Sequence, residues 1–318
     1  MRNSPLGCGR ADEKILENVR SIPPDCGLET PPATMPESTL ELPSHAKINL
    51  WLRVLGKRDD GFHEVETRLV KIDVADTVRL SLTGKSPGIV LTCNVHGIPT
   101  DDSNLAIKAL KAFESRAGVS KGWSIHLEKN IPHGAGLGGG SSNAATILLA
   151  ANQLLGQPLS LDALMDIAAG IGSDVPCFLL DTPAADGSGR GERVRPAEFP
   201  WQLPLVLIKP PFPIPTPWAY KNWSTSKELS GVLYAPQICP WGEMVNGLER
   251  PVFEKHLLLP TLKTWLLSHG SVRAALMSGS GSTMFAITRT DVEAAALAAE
   301  ARQFVGDTAW VTATRTLS

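Results

Sequence analysis

Residues 132–143 read PHGAGLGGGSSN, and the run AATILLAANQLL behind them meets no helix breaker before Gly156. Five glycines without Cβ atoms let the backbone bend tightly and turn several N–H groups inward. A helix starting just beyond them adds the positive end of its dipole. The feature therefore demands a strand, a cradle for an anion such as phosphate, and a helix in succession, with Ser141, Ser142 and Asn143 at the expected helix start as caps or ligands. A flexible glycine loop beside a helix is the plainer alternative, but it leaves the strand-like segment before and the helical one after unexplained. The nucleotide loop GxxxxGK[ST] does not fit, because Gly140 leads into Ser141 rather than lysine. Any lysine for the phosphate must come from elsewhere in the chain.

The 318 residues carry a formal net charge of -2 and no long Lys/Arg cluster, which argues against a nucleic-acid partner. Their number fits two domains. The five cysteines are scattered, odd in number and form no CxxC pair, so a reduced, cytoplasmic setting is expected rather than a disulfide scaffold. No run has the length and apolarity of a membrane helix, and no membrane partner is expected. Residues 1–43 are proline-rich and of mixed charge, and read as an irregular extension without the basic start and apolar core of a secretory signal; Met35 offers a second possible start.

Order is expected from His45. In AKINLWLRVLG, Ile48, Leu50, Leu52 and Val54 alternate with Lys47, Asn49, Trp51 and Arg53, the period of a half-buried strand that puts Lys47 and Asn49 on one face. Strands follow around Val70–Val74 and Val78–Leu82, with a turn at 75–77, then at 88–93 and around Trp123, Ile125 and Leu127. Leu105, Ala109, Leu110 and Phe113 mark an amphipathic helix, and 160–169 a second one stopped by Gly170. The segment WQLPLVLIKPPFPIPTPWAY predicts an apolar strand and a proline-stiffened crossing, near which a soft domain boundary falls. Helices are expected near 241–250, 260–269 and 292–304, with a strand pair around SGSGS. Strands first and helices on one side suit an α+β layer better than repeated βαβ units.

Asp174 is the strongest candidate for a working carboxylate. It stands between Ser173 and a short helix opened by Pro176, where the dipole favours its ionised form. An ionised carboxylate can orient an alcohol and accept its proton as the oxygen attacks phosphorus. Locally, Asp174 also reads as an ordinary helix cap and Lys47 as an ordinary strand lysine. A phosphoryl donor needs a nearby cation, and this requirement links both to the cradle. A third glycine patch, MSGSGSTM over 277–284, is either a hairpin turn or another set of phosphate-facing N–H groups.

Three separated segments together resemble the GHMP small-molecule kinases. SHAKINL is similar to the family's P-A-K-x-N-L segment, PHGAGLGGGSSNAA to its central phosphate loop, and MSGSGSTMF to its third glycine motif. The similarity runs from about His45 to the end. RDDGFHEVET, GIGSDVPCFL and PIPTPWAY further resemble the branch whose acceptor alcohol carries a cytidyl diphosphate. Ser44 and Phe62 stand where the patterns have proline and tyrosine.

The resemblance implies a two-domain α+β fold: a ribosomal-protein-S5-domain-2-like N-terminal domain over 44–200 and a ferredoxin-like C-terminal domain over 201–318, with the site between them. It implies ATP and Mg²⁺, with the phosphates along Pro132, Gly134, Ala135, Gly136, Leu137, Gly138, Gly139, Gly140, Ser141 and Ser142. Ser142 is a plausible magnesium contact, but no dedicated metal ligand set is legible, since magnesium often keeps its waters and uses nucleotide phosphates. Lys47 and Asp174 are implied as the catalytic pair. A small cytidyl-diphosphate substrate would meet Asn49, Phe62, His63, Thr216 and Tyr220, with Phe62 and His63 at the cytosine end and Tyr220 as the opposing aromatic surface. Planar rings can sandwich a pyrimidine, and a histidine can read its polar edge. The rivals are a GHMP kinase for a homoserine- or mevalonate-like alcohol and a catalytically silent nucleotide-binding module.

Overall fold

The expected alternation builds one long strand, β1 (Ser38–Lys57), hairpinned onto an equally long β2 (His63–Thr83). The computed structural model describes residues 38–84 and 86–318. The expected irregular extension lies outside the described residues as far as 37. From Ser38, earlier than the expected start at His45, the chain is already strand, because residues 38–43 pair with 82–77 of β2 and Leu40 and Leu42 pack on the core.

No turn interrupts β2 at 75–77. The register slips between His45 and Ala46 instead, a bulge that bends the ribbon without ending it. The polar stretch around Asp76 reads locally as a turn. In the fold that carboxylate is fully buried and accepts N–H bonds from Asn130 and Ile131, both at 2.8 Å.

After β3 (Gly88–Cys93) come α1 (Leu105–Ala117), capped by the Asn104 side chain, and β4 (Gly122–Glu128), whose Trp123, Ile125 and Leu127 are all buried. Next are α2 (Gly139–Leu154), α3 (Leu161–Ile171), which runs through Gly170 instead of stopping there, and the short α4 (Val175–Leu179). The hairpin β5 (Ala184–Ser188) and β6 (Arg193–Ala197) returns to β2. The chain then crosses through β7 (Pro204–Lys209) and α5 (Thr216–Asn222).

Residues 241–250 differ from the expected helix. They form β9 (Gly242–Asn246), antiparallel to β8 (Gln237–Cys239), before α6 (Glu249–Lys255) begins. Met244 and Asn246 are buried and β9 runs parallel to β1 at Trp51 and Leu52, so pairing with a distant strand overrides the local helical reading. Then follow α7 (Leu258–Leu267), β10 (Val272–Met277), β11 (Met284–Thr288), α8 (Asp291–Val305) with a Thr290/Glu293 capping box, and β12 (Trp310–Arg315).

The strands make two sheets, one ordered β3-β4-β2-β1-β9-β8 with β5 and β6 attached, the other β10-β11-β7-β12. One face of the first sheet buries Leu80, Ile125 and Leu127 against α1 and α2. Its other face packs Ile48, Leu50, Val70 and Ile72 against Leu205, Leu207, Phe285 and Ile287 of the second sheet. Helices α6, α7 and α8 cover the far side of that sheet through Val252, Leu262 and Leu297. The protein is thus an α+β structure in which β1 is covered on both faces over residues 46–50 rather than half-buried. That places the Lys47 and Asn49 face inside the molecule, beneath the glycine loop.

Candidate active site

Lys47 sits among three convergent partners, two held by hydrogen bonds and one by charge. Its Nζ donates to Asn49 Oδ1 at 2.7 Å and to the Gly136 carbonyl at 3.0 Å, and lies 3.3 Å from Asp174 Oδ2. The Asn49 amide is itself fixed, with Nδ2 donating to Thr67 Oγ1 at 2.8 Å. The lysine side chain is 3% exposed and the aspartate 36%, so the carboxylate opens to solvent while the amine is held behind it. Asp174 stands at the N-terminus of α4 and makes no capping bond with its side chain, which removes the plain helix-cap reading.

The glycine loop rises over this pair. Its helix starts at Gly139, inside the glycines, with Gly138 in the left-handed region at φ +72° and no capping side chain. The first N–H groups of α2 are left for another acceptor. A Cβ on Gly136 would meet the Ser278 carbonyl at 2.2 Å, so only glycine lets the central loop and the third glycine turn come this close. The two are zipped by Ser278 Oγ donating to the Gly136 carbonyl at 3.0 Å and Thr283 N–H to the Ala135 carbonyl at 3.2 Å.

A cavity of about 1020 Å³ runs along the loop. Lys47, Asn49, Phe62, His63, Pro132, residues 134–141, Asp174, Thr216 and Tyr220 all line it. Ser142 does not. Because α2 begins before the serines, Ser142 and Asn143 fall within the helix rather than at its cap and are buried against the sheet, where Ser44 Oγ donates to Ser142 Oγ at 2.8 Å. Among the described residues no group of three or more His, Cys, Asp or Glu could hold a metal ion.

At one end His63 and Tyr220 face each other with ring centroids 5.4 Å apart and planes tilted by 32°, and Trp223 meets His63 edge-on at 6.1 Å. A base stacked between two rings needs about 7 Å, twice an ordinary carbon contact, so His63 and Tyr220 are closed on each other by about 2 Å. Phe62, 52% exposed, carries the Arg190 guanidinium over its ring at 4.8 Å. Burial, and secondarily the Asp174 charge, pushes the Tyr220 phenol above its ordinary range and keeps it protonated. Burial and the Lys57 charge push the His63 imidazole down, favouring the neutral ring. Thr216 Oγ1 lies 2.8 Å from Ser280 Oγ, tying the α5 wall to the third glycine turn.

Sequence reasoning missed several lining groups. Lys57, Lys129, Arg190 and Lys221 join Lys47, giving five cationic side chains against the single carboxylate of Asp174, although the whole chain is slightly acidic. Lys129 is buried and pairs with Asp76, and its Nζ donates to Asn143 Oδ1 at 2.8 Å. The signal for it was Asp76, an acid within an apolar strand run, which requires a partner once buried. Ile98, Pro99, Asn104 and Leu105, the last beside Gly140, also line the cavity and are unassigned by the sequence.

A glycine cradle, a helix N-terminus and a lysine–carboxylate pair beneath them, set in this two-sheet α+β fold, define a small-molecule kinase. Residues 104–184 match the model of the GHMP kinases N terminal domain, and residues 237–307 that of the GHMP kinases C terminal domain. The chain is 44% identical over 244 residues to the 4-diphosphocytidyl-2-C-methyl-D-erythritol kinase of Methylacidiphilum infernorum, covering 76% of this chain and 84% of that one. It is 41% identical over 266 residues to the chloroplastic enzyme of the same name from Arabidopsis thaliana, covering 80% and 69%. A crystal structure of 4-(cytidine 5'-diphospho)-2C-methyl-D-erythritol kinase superposes with TM-score 0.69 at 32% identity, over 88% of this chain and all of that one. The chain belongs to the GHMP kinase family. No helix among the described residues is long and apolar enough to cross a membrane.

Proposed function

We propose that the protein is an ATP-dependent kinase that phosphorylates the 2-hydroxyl of 4-diphosphocytidyl-2-C-methyl-D-erythritol, in the non-mevalonate route to isoprenoid precursors. The observation that carries the reading is the Lys47–Asp174 contact at 3.3 Å inside a cavity roofed by the glycine loop. Relatives of that name at 38–44% identity support the choice of acceptor.

In this reading the nucleotide phosphates lie along residues 134–141, against the uncapped N–H groups of α2, with the adenine toward Ile98 and Leu105. Asp174 accepts the 2-hydroxyl proton as the oxygen forms its bond to the terminal phosphorus and the bond to the ADP oxygen breaks. Lys47 holds the carboxylate and the loop carbonyl in one frame and offers its charge to the phosphoryl oxygens. Magnesium, when bound, supplies neutralisation of the phosphate charge. The residues present suit an ion that arrives on the nucleotide phosphates, because the one carboxylate of the cavity is already paired with Lys47.

The cytidyl end lies at Phe62, His63 and Tyr220, with Asn49 and Thr216 along the acceptor's polar backbone. Five cationic side chains lining a cavity with one carboxylate suit two polyanionic ligands better than a net-neutral zwitterion such as homoserine. Phosphotransfer from ATP is measured with the cytidyl compound, mevalonate and homoserine. Strong preference for the cytidyl compound is expected; equal turnover of mevalonate defeats the assignment, and no turnover of any leaves a silent nucleotide-binding module.

A further inference from the structure

Two buried polar side chains, Asn246 and Glu249, hold the third glycine turn from behind, a third, Lys263, braces Glu249, and none of them lines the cavity. Asn246, 3% exposed at the end of β9, donates from Nδ2 to the carbonyls of Met277 and Gly279, both at 2.7 Å, and accepts from Leu248 N–H at 2.9 Å. Glu249, 1% exposed at the start of α6, accepts from Met277 N–H at 2.9 Å and from Lys263 Nζ at 2.6 Å. Lys263, equally buried in α7, also donates to the Leu233 carbonyl at 2.6 Å.

Two charges taken out of water repay that cost only when hydrogen bonds complete the set, and an apolar set of like volume often stabilises a fold as well. What polar groups add is direction. Asn246 aims two carbonyls of one turn at a single amide, and Glu249 anchors the strand end that leads into it. The turn so held faces the reacting groups: a Cβ on Gly279 would lie 3.2 Å from Lys47 Nζ and 3.4 Å from Asn49 Oδ1. Gly247 N–H donates to the Leu52 carbonyl at 2.8 Å, so the grip is also tied to the strand that carries Lys47.

We propose that Asn246, backed by the Glu249–Lys263 pair, is a positioning residue that sets the height of the 278–281 turn over the Lys47 amine. Its catalytic consequence rests on the role given to Lys47 under the proposed function; the placement does not. Asn246→Asp keeps the shape but turns an acceptor toward two carbonyls, lifting the turn.

The test combines steady-state kinetics, an ATP titration and the rate at which a small acylating reagent modifies Lys47 in ligand-free protein, read by mass spectrometry against buried Lys209 as internal reference. For Asn246→Asp the expected result is a fall in kcat of about tenfold or more with ATP affinity within about twofold, together with faster Lys47 modification. Glu249→Gln, which keeps an acceptor for Met277 N–H, should fall between that variant and the parent. A lower melting temperature with unchanged Lys47 modification and unchanged kcat overturns the proposal, because a merely structural role predicts that pattern. Faster modification with unchanged kcat upholds the placement and counts against the role of Lys47. If Asn246→Asp does not fold, Asn246→Ser, which keeps one donor and adds no charge, is carried through the same measurements.

Discussion

Lys47 Nζ lies 3.3 Å from Asp174 Oδ2, although nothing near either residue in the chain requires the other. The amine is enclosed and the carboxylate partly open, so a hydroxyl entering the cavity meets the aspartate first. Asp174→Asn should therefore lower kcat by about 100- to 10,000-fold, the usual worth of a positioned general base, while ATP binding stays within about twofold. Single-turnover phosphotransfer and a nucleotide titration check both. Unchanged turnover would remove the base role.

Tyr220 faces His63 in the wall of the cavity. Tyr220→Ala should weaken binding of the cytidyl substrate by about 1–3 kcal/mol, the loss of one stacked base, and leave ATP binding unaltered. Calorimetric titration of each ligand is the measurement. A larger loss for ATP would put the base end in the wrong place.

Each aromatic residue of that end has a cation beside it. Arg190 covers Phe62, Lys57 is the cross-strand partner of His63, and Lys221 follows Tyr220. A neutral pyrimidine does not need them, but a diphosphate attached to it does. The Lys57→Ala/Lys221→Ala double variant should bind cytidine as before and cytidine diphosphate several-fold more weakly, with a reduced dependence on salt. Equal losses for the two ligands would rule out a charge contribution.

Gly136 and Gly140 should respond oppositely to alanine. At Gly136 the new Cβ meets a carbonyl at 2.2 Å in a backbone of φ +76°, and backbone strain alone costs about 1–3 kcal/mol. At Gly140, within α2, the nearest atom is Leu105 Cδ1 at 3.7 Å, and alanine should raise helix stability by up to about 1 kcal/mol. Thermal denaturation of both variants separates them, and similar melting temperatures would contradict this account of the loop.

Two histidines, His63 and His256, are pushed below the ordinary value of 6.5, in each case first by burial and then by a neighbouring lysine. The unfolded chain then takes up protons at a higher pH than the folded one. Stability is therefore full above pH 6.5 and declines as pH falls from there toward the depressed folded values. Melting temperatures of the parent and of His63→Asn/His256→Asn between pH 8 and about 5 should diverge only below about 6.5, with the variant declining less. Parallel curves would contradict the direction of the shifts.

Much of this protein was readable in its residues. The strand character of β1, the buried Trp123, Ile125 and Leu127 of β4, and the helices α1 and α8 are local patterns that the fold keeps, although Asn104 rather than a neighbouring Asp or Ser caps α1. The glycine loop, the carboxylate beside Pro176 and the lysine on its strand face were likewise visible as types. Two departures share one cause. Locally Asp76 reads as a turn and residues 241–250 as a helix, but each is decided by a partner far along the chain: Asn130 and Ile131 for the first, the β1 edge for the second.

Side-chain period, glycine conformational freedom and helix propensity act within a few residues, so the chain by itself determined which elements form and which chemical groups they carry. Only the tertiary structure decided that Lys47, Gly136 and Asp174 converge, that β1 is covered on both faces, and that buried Asn246 reaches the third glycine turn. Convergence of this kind depends on how two sheets and their helices exclude water together, and short-range preferences do not encode that packing.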